Sequence, residues 1–162
     1  MPLVPFESLP SSARVWVFAG DRAVAVPAAE RLLREVDAFL AQWKAHGAPL
    51  TCGRDWREDR FLTIAVDQSE AGASGCSIDG LFRTLSALEP AIGASMIGTA
   101  LVHYRDRAGE IQSVSREEFG ERAAHAEITT ETPVYDPSVT TLDDWRERFE
   151  STVGESWHAA LI

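Results

Sequence analysis

The stretch FLTIAVDQSEAGASGCSIDGLF, residues 61–82, decides the fold that the sequence predicts. It begins with a run that is rich in β-formers and almost free of charge, which is typical of a strand inside a sheet. A loop of small residues follows. An apolar pattern at helical spacing then begins, with Ser77 in the position of an N-cap. The stretch therefore predicts a buried strand, a tight loop and a helix in direct succession.

The sequence before residue 99 predicts a β-α-β-β-α order around this stretch. The predicted elements are a strand at 13–21, a helix from Pro27 to Gly47, a poorer edge strand at 49–58, the strand 61–67 and a helix that ends near Pro90 and Gly93. Both faces of the first strand are apolar, so we expect it to be covered on both sides.

The remaining sequence predicts shorter elements. They are a hairpin of strands 99–106 and 110–114, a helix at 116–125 in which Ser115 and Glu118 have capping-box spacing, and a helix at 141–153. The segment 127–140 is β-prone but carries two prolines, which predicts an edge strand or an ordered loop. The apolar tail with Trp157 is expected to dock on the body of the protein.

The element order is that of a split βαβ, ferredoxin-like fold. We therefore expect a single α+β domain, residues 1–162, with an antiparallel sheet and two main helices on one of its faces. The C-terminal hairpin strand and the two short helices would be additions to this core. In this topology we expect the first helix to end at the sheet edge opposite the 67–80 loop, which would separate His46 from Cys76.

Charge and composition exclude several classes of partner. The formal net charge is −10, and phosphate contacts require a basic face, so we expect no nucleic acid and no anionic membrane surface as partners. No apolar run reaches the roughly 20 residues that a spanning helix needs. The N-terminal residues lack the pattern of a signal peptide, so we expect a cytoplasmic location, in which Cys52 and Cys76 are thiols.

Cys76 is the first candidate for chemistry. It lies at or just before a predicted helix N-terminus, where the positive end of the macrodipole favours a thiolate, and Gly75 lets a ligand approach the backbone. This pattern predicts a nucleophilic or redox thiol with a nearby histidine as its base. The alternative is a small buried cysteine that fills space under a glycine turn.

The same loop also has the pattern of a ligand site. The backbone N–H groups from Ser77 onward are candidates to bind a carboxylate or a phosphate. Asp79 opposes this interpretation, because a carboxylate in the first helical turn already occupies the positive end of the helix and repels an anion. A cation or amine held by Asp67 and Asp79 is then the alternative, and Asp67 also fits the role of an acceptor for loop N–H groups.

Two histidines are candidates for the site. His46 is predicted at the C-terminal end of the first helix, where a cation or a cap for carbonyls is favoured. His158 lies in the tail, and docking of the tail would bring it against the body. We rank His158 above His46 as the base for Cys76 because of the expected separation of His46 from the loop.

Motifs for metals and cofactors are missing from the sequence. There is no HExxH or paired-cysteine spacing, no GxGxxG after a strand and no GxSxG elbow. Lys44 is the only lysine, and no glycine-rich stretch has the form of a P-loop. We therefore expect no metal and no cofactor, and the chain is not a P-loop ATPase.

Four stretches together resemble a family of short, uncharacterised bacterial proteins. They are ARVWVF, FLAQWKAHGAPL, FLTIAVDQSEAGASGCSID and the terminal ESWH, which span most of the chain in this order. Members of that family often carry the automatic label ABC transporter ATPase, which the missing P-loop contradicts. The resemblance supplies no catalytic residues and draws attention to the Cys76 loop, the Trp43–His46 segment and the His158 tail.

Two functional hypotheses follow. The first is a small binding or assembly module that takes a small molecule at the 67–80 loop, with Gly75, Ser77, Asp79 and His46 as ligand-binding residues, or that forms a homodimer through aromatic side chains such as Trp56 and Trp145. The second is a thiol-dependent enzyme with Cys76 as the reactive group, His158 as the base and Asp67 as an orienting residue. Small single domains without a recognisable catalytic constellation are more often binding or assembly modules than enzymes, and this favours the first hypothesis.

Overall fold

A computed structural model describes residues 3–69 and 71–162 as a mixed α+β protein with four α-helices and antiparallel sheets. The chain divides into two compact units. Unit 1 comprises the residues up to Thr99 together with Thr140–Asp143, and unit 2 comprises Ala100–Val139 with Asp144–Ile162. Within the described residues, no helix is both long enough and apolar enough to cross a membrane.

Unit 1 is a three-stranded antiparallel sheet in the order β1-β5-β4, accompanied by two long helices. Its elements are β1 (Arg14–Ala19), α1 (Val26–Ala41), β2 (Lys44–Ala45), β3 (Ala48–Pro49), β4 (Thr51–Arg57), β5 (Phe61–Asp67) and α2 (Gly75–Ile92). The prediction that residues 61–67 form an interior strand is confirmed, and so is the prediction of an edge strand within residues 49–58, which is β4.

The main core of unit 1 lies between the sheet and the two helices. The helices contribute Leu32, Val36 and Leu40 from α1 and Leu81, Leu85 and Leu88 from α2, and β5 contributes Leu62, Ile64 and Val66. The alternation of β5 side chains sends these three residues to one face, while the i, i+3 and i+4 spacing collects the helix residues on one stripe. This packing fixes the position of the α2 N-terminus relative to the sheet.

The first helix ends earlier than the sequence predicts. Gln42 is the C-cap of α1, and β2 and β3 then form a short hairpin whose turn is His46-Gly47. Both turn residues have positive φ, 51° and 80°, as the central residues of a type I′ hairpin turn do. Gly47 is therefore a turn residue and not the end of a helix, and His46 does not cap α1.

The second helix begins earlier and ends where predicted. Its N-cap is Ser74, not Ser77, so that Gly75 and Cys76 are the first two helical residues. Pro90 lies inside the last turn, and Gly93 closes the helix in the left-handed conformation with φ of 69°. Gly93 and not Pro90 is thus the stop signal.

The position beside β1 is filled by a distant segment of chain. Val15 N–H donates to Thr140 O at 2.9 Å, and Arg14 forms a bridge with Thr141. The predicted strand at 99–106 would have taken this place in a split βαβ sheet. It is instead β6 (Val102–Arg105), which pairs with strands of unit 2.

Unit 2 has its own four-stranded antiparallel sheet in the order β7-β6-β8-β9. Besides β6, its elements are β7 (Ile111–Val114), α3 (Arg116–Ala124), β8 (Pro133–Tyr135), β9 (Glu150–Thr152) and the 3-10 helices Val153–Glu155 and Trp157–Leu161, while α4 (Leu142–Arg148) includes residues of both units. Its core contains Val102, Tyr104, Val114, Phe119, Ile128, Val134 and Val153.

Several predictions for unit 2 are confirmed and two are wrong. The β6–β7 hairpin forms, and the hydroxyl of Ser115 caps α3 by accepting from Glu118 N–H at 3.1 Å. β8 lies between β6 and β9 and is not an edge strand; Pro133 is tolerated there because it is the first residue of the strand. The helix predicted at 141–153 ends at Arg148, since the chain enters β9.

Candidate functional site

The end of α1 and the first turn of α2 lie side by side. The indole N–H of Trp43, two residues beyond the end of α1, donates to the carbonyl of Ser77 at 2.8 Å in a buried hydrogen bond. Because β1 and β5 are antiparallel, the start of β1 and the end of β5 lie at the same end of the sheet's strands. The chain returns to that end at the C-terminus of α1. The expectation that the first helix ends at the opposite edge is therefore wrong.

The first turn of α2 is closed by a reciprocal pair of serines. Ser77 N–H donates to Ser74 Oγ at 3.2 Å, and Ser74 N–H donates to Ser77 Oγ at 2.7 Å. This capping box uses a serine at the third helical position where glutamate or glutamine is more usual. The pair satisfies the backbone N–H groups of both serines, and the Oγ of Ser77, one of the predicted ligand-binding residues, is committed to that role.

Two backbone donors at this terminus remain available. The N–H groups of Gly75 and Cys76 have no hydrogen-bond acceptor within the described chain. Both residues are exposed, and a Cβ added at Gly75 would meet nothing within 4 Å, so this position tolerates a side chain. Such a pair of donors at the positive end of a helix is a place where an anionic group binds.

The two cysteines have opposite environments. Cys76 is exposed at the second position of α2, whereas Cys52 is buried in β4 and its sulfur lies 3.6 Å from Leu40 O. Burial raises the pKa of the Cys52 thiol to about 12, because the charged form would lose its hydration. Any thiol chemistry of the folded protein in neutral solution therefore falls to Cys76.

The two aspartates of the loop region have separate roles. Asp67 ends β5, and its carboxylate accepts from Ser69 N–H at 3.0 Å, which is the acceptor role that the sequence offered as one alternative. Asp79 is exposed in the second turn of α2, and the first turn contains no acidic residue. The Asp79 carboxylate therefore repels an anion at this N-terminus less strongly than the sequence analysis, which placed it in the first turn, implied.

The β2–β3 hairpin carries the basic side chains nearest in sequence to Trp43. Lys44 and His46 are both exposed, and β2 packs against α2. The hydrogen bond from Trp43 to Ser77 ties the base of this hairpin to the helix N-terminus. Within unit 1 the structure thus brings the segment of His46 and the segment of Cys76 to the same region, although the sequence argued against it.

Aromatic side chains pack around Trp43, next to the first turn of α2. The ring of Trp43 lies 6.4 Å from that of Trp16 and 5.6 Å from that of Phe39, measured between centroids. A Cβ at Gly80 would lie 3.6 Å from Phe39, so α2 rests closely on this cluster. Sequence reasoning drew attention to the Trp43–His46 segment but did not predict the indole contact, for which no pattern exists. It also missed Ser74, although the S-x-x-S spacing of Ser74 and Ser77 was a signal for the cap.

His158 belongs to unit 2 and is fully buried. Its Nδ1 lies 2.8 Å from Ser156 Oγ, while Nε2 has no hydrogen-bond partner among the described residues. Burial lowers the pKa of the ring below its usual 6.5, partly offset by Asp136. The tail docks as predicted, and the role of His158 as a base for Cys76 stays a prediction.

Other candidate features of the sequence are absorbed into the fold. Trp145 is buried, and Trp56 packs partly buried against the core of unit 1, so the two aromatics proposed for an interface serve first in packing. In the described part of the chain, no group of three or more His, Cys, Asp or Glu side chains is arranged to hold a metal ion.

Comparison of the chain with protein-family models, with curated proteins and with solved structures found no match. These comparisons therefore do not test the resemblance to short bacterial proteins noted in the sequence, which stays a prediction.

Proposed function

We propose that the protein is a small binding module whose ligand site is the 67–80 loop and the first turn of α2. The observation that carries the proposal is the pair of N–H groups at Gly75 and Cys76, two exposed residues at the positive end of an 18-residue helix, for which the described residues supply no acceptor. The capping box and the Trp43 hydrogen bond hold this terminus in place, so little ordering accompanies binding.

The chemistry of the site favours a small molecule that carries an anionic group. Hydrogen bonds to a charged group contribute about 1.5–3 kcal/mol each. Lys44, on the hairpin tied to α2, supplies positive charge in this region, and His46 lies on the same hairpin, while Asp79 lies one turn further along the helix. We therefore propose a carboxylate or phosphate group as the part of the ligand that α2 holds.

A pair of variants at one position tests this proposal. Gly75→Pro removes one of the two N–H donors, and proline suits the first helical position because Ser74 is already extended, with φ of −96° and ψ of 166°. Gly75→Ala keeps the N–H and serves as the matched control. Inorganic phosphate is titrated into each protein at constant ionic strength while the amide resonance of Cys76 is followed.

We expect the alanine variant to bind phosphate as the parent does and the proline variant to bind it about tenfold or more weakly, because one charge-assisted hydrogen bond is lost. Phosphate should also slow alkylation of Cys76. If phosphate does not shift the Cys76 resonance, or if the proline and alanine variants bind equally, the proposed site is wrong.

A thiol-dependent reaction is the second candidate, favoured by the exposure of Cys76 in the first turn of α2. A thiol at a helix N-terminus is placed where negative charge is stabilised. The rate at which iodoacetamide alkylates Cys76 at pH 7 is compared between the folded protein and the protein unfolded in urea. This comparison measures whether the fold activates the sulfur. A folded-state rate no higher than the unfolded-state rate removes this candidate.

Self-association into a homodimer belongs to the assembly form of the proposal. Sedimentation equilibrium across a range of concentrations measures it directly. A protein that stays monomeric leaves the small-molecule form of the proposal intact and removes the assembly form.

The finer fold assignment is part of the same proposal. We propose that unit 1 is a split βαβ core, since the sheet order β1-β5-β4 and the two helices match three strands and both helices of that arrangement. The segment Thr140–Thr141 takes the edge position where a fourth strand would pair with β1.

A further inference from the structure

The C-terminal 3-10 helix Trp157–Leu161 is anchored in unit 2 by the ring of His158. The ring has no solvent exposure; the Trp157 ring stacks on it at 3.9 Å, and the Phe119 ring of α3 lies 6.1 Å away, measured between centroids. The tail backbone also lies against α3, since a Cβ at Gly120 would be 3.1 Å from Leu161 O. The imidazole ring of His158 is thus buried among aromatic rings, where an apolar side chain would be the usual residue.

The hydrogen bonds of this ring suit its neutral form. Nδ1 pairs with Ser156 Oγ at 2.8 Å, and Ser156 Oγ also lies 3.3 Å from Val153 O. When the serine donates to that carbonyl, it accepts from Nδ1–H, and Nε2 is left as a bare acceptor. Protonation would add an N–H and a charge at Nε2, for which the described residues provide no acceptor.

Two charged groups act on the ring from the elements around it. Asp136, which follows β8, favours the cation, but its Oδ1 already accepts from Ser138 N–H at 2.9 Å. Arg116 of α3 disfavours the cation and lies over the Trp157 ring at 5.1 Å from its centroid. The carboxylate does not reach Nε2, so burial outweighs its attraction.

We propose that His158 is an acid-sensitive latch: its neutral ring holds residues 157–162 on α3, and its protonation releases them. The released ring returns to water and regains the usual pKa of about 6.5, whereas the docked ring has a lowered pKa. Docking is therefore most stable above pH 6.5 and weakens as the pH falls toward the pKa of the docked ring. Within that window the released population rises about tenfold per pH unit.

Deuterium exchange of the 162-residue protein between pH 7.5 and pH 5 tests the latch, with rates corrected for the intrinsic effect of pH. We expect protection of residues 157–162 to fall as the pH drops below 6.5, by up to about tenfold per pH unit, while α1 and β5 of unit 1 keep theirs. Unchanged protection of the tail down to pH 5 overturns the proposal.

Substitutions identify the responsible group. His158→Asn cannot ionise and keeps an N–H donor near the Nδ1 position, so the pH dependence of tail protection should disappear. His46→Asn, which alters an exposed histidine of unit 1, should leave that dependence intact. The proposal fails if the dependence persists in His158→Asn or is instead abolished by His103→Asn, which alters the other buried histidine.

One measurement on the unmodified chain covers the case in which His158→Asn loses the docked tail altogether. The imidazole resonances of His158 are followed by NMR over the same pH range as the tail amides. Protonation of the ring and loss of tail protection should occur together. A ring that becomes protonated while the tail stays protected contradicts the latch.

Discussion

At the scale of single residues, the contrast between the two cysteines gives the most direct test of the structure. Iodoacetamide at pH 7.5 should label Cys76 in the folded protein and leave Cys52 unlabelled, because Cys52 is fully buried and its pKa is raised to about 12. Mass spectrometry of digested protein locates the label.

Unfolding provides the control for this prediction. In urea both thiols should react, and Cys76→Ser should leave the folded protein without label. Two labels on the folded protein would contradict the burial of β4 against α1.

Two glycines of unit 1 should respond to alanine in opposite ways. A Cβ at Gly53 would lie 2.8 Å from Val4 O and 3.1 Å from Phe6 Cα, both of them backbone atoms that cannot rotate away. Gly53→Ala should therefore destabilise the protein by about 1–3 kcal/mol. Gly75→Ala meets nothing within 4 Å in the first turn of α2 and should be neutral or stabilising by up to about 1 kcal/mol.

Urea titration of both variants measures these changes. A loss in Gly75→Ala as large as that in Gly53→Ala would mean that the local environments are not those described for these positions.

At the scale of elements, the N-cap of α2 is the feature on which the candidate site depends. Ser74→Ala removes the hydroxyl that accepts from Ser77 N–H and should cost about 1 kcal/mol of unfolding free energy. Ser86→Ala, at an exposed position in the middle of the same helix, should cost nothing or stabilise slightly, because alanine has the higher helix propensity.

The amide of Ser77 reports on the cap more specifically than global stability does. Its hydrogen exchange should accelerate in Ser74→Ala and stay unchanged in Ser86→Ala. Equal exchange in both variants would show that the capping box does not hold the helix terminus.

The elements themselves were largely predictable because their residues carry strong local signals. The β-branched and aromatic runs of β1 and β5 and the apolar stripes of α1 and α2 specify their types without tertiary information. The boundaries at Trp43–Gly47 and Ser74–Gly75 were less predictable. In the first case a two-residue turn at His46-Gly47 competes with a helical pattern that continues as far as Trp43, and only the fold selects the hairpin.

The candidate site was predictable in position but not in construction. Small residues after a buried strand indicated the loop, and Cys76 and Gly75 lie in the first turn of the helix that follows it. The contribution of Trp43 comes from a contact between residues 34 positions apart, which no local pattern encodes. The assignment of the cap to Ser77 instead of Ser74 misplaced the helix start and with it the electrostatic role of Asp79.

At the scale of the whole molecule, pairing between strands was the least predictable feature. The hairpin β6–β7 is locally specified, but the sheet that it joins depends on which partner offers the better edge. Thr140–Thr141 takes the edge of β1, and β8 takes the open edge of β6. Both pairings join segments far apart in the chain, so the hairpin sequence alone does not specify them.

The acidic excess of the chain leads to a prediction about salt. With a formal net charge of −10, the folded protein is destabilised by self-repulsion that sodium chloride screens. Salt also weakens attractive ion pairs, but this opposing effect is small, because pairs such as Arg122–Glu118 and Arg54–Asp37 are partly exposed, and exposed ion pairs contribute about 0–1 kcal/mol.

Raising the salt from 0.02 M to ~0.2 M should therefore raise Tm by about 2–4 °C. Most of that rise should occur below ~0.15 M, where the Debye length shortens to about 8 Å. A calorimetric series in sodium and potassium chloride separates screening, which is equal for both salts and saturates, from ion-specific effects, which grow steadily with concentration; a Tm that falls with salt would show that the ion pairs outweigh the repulsion.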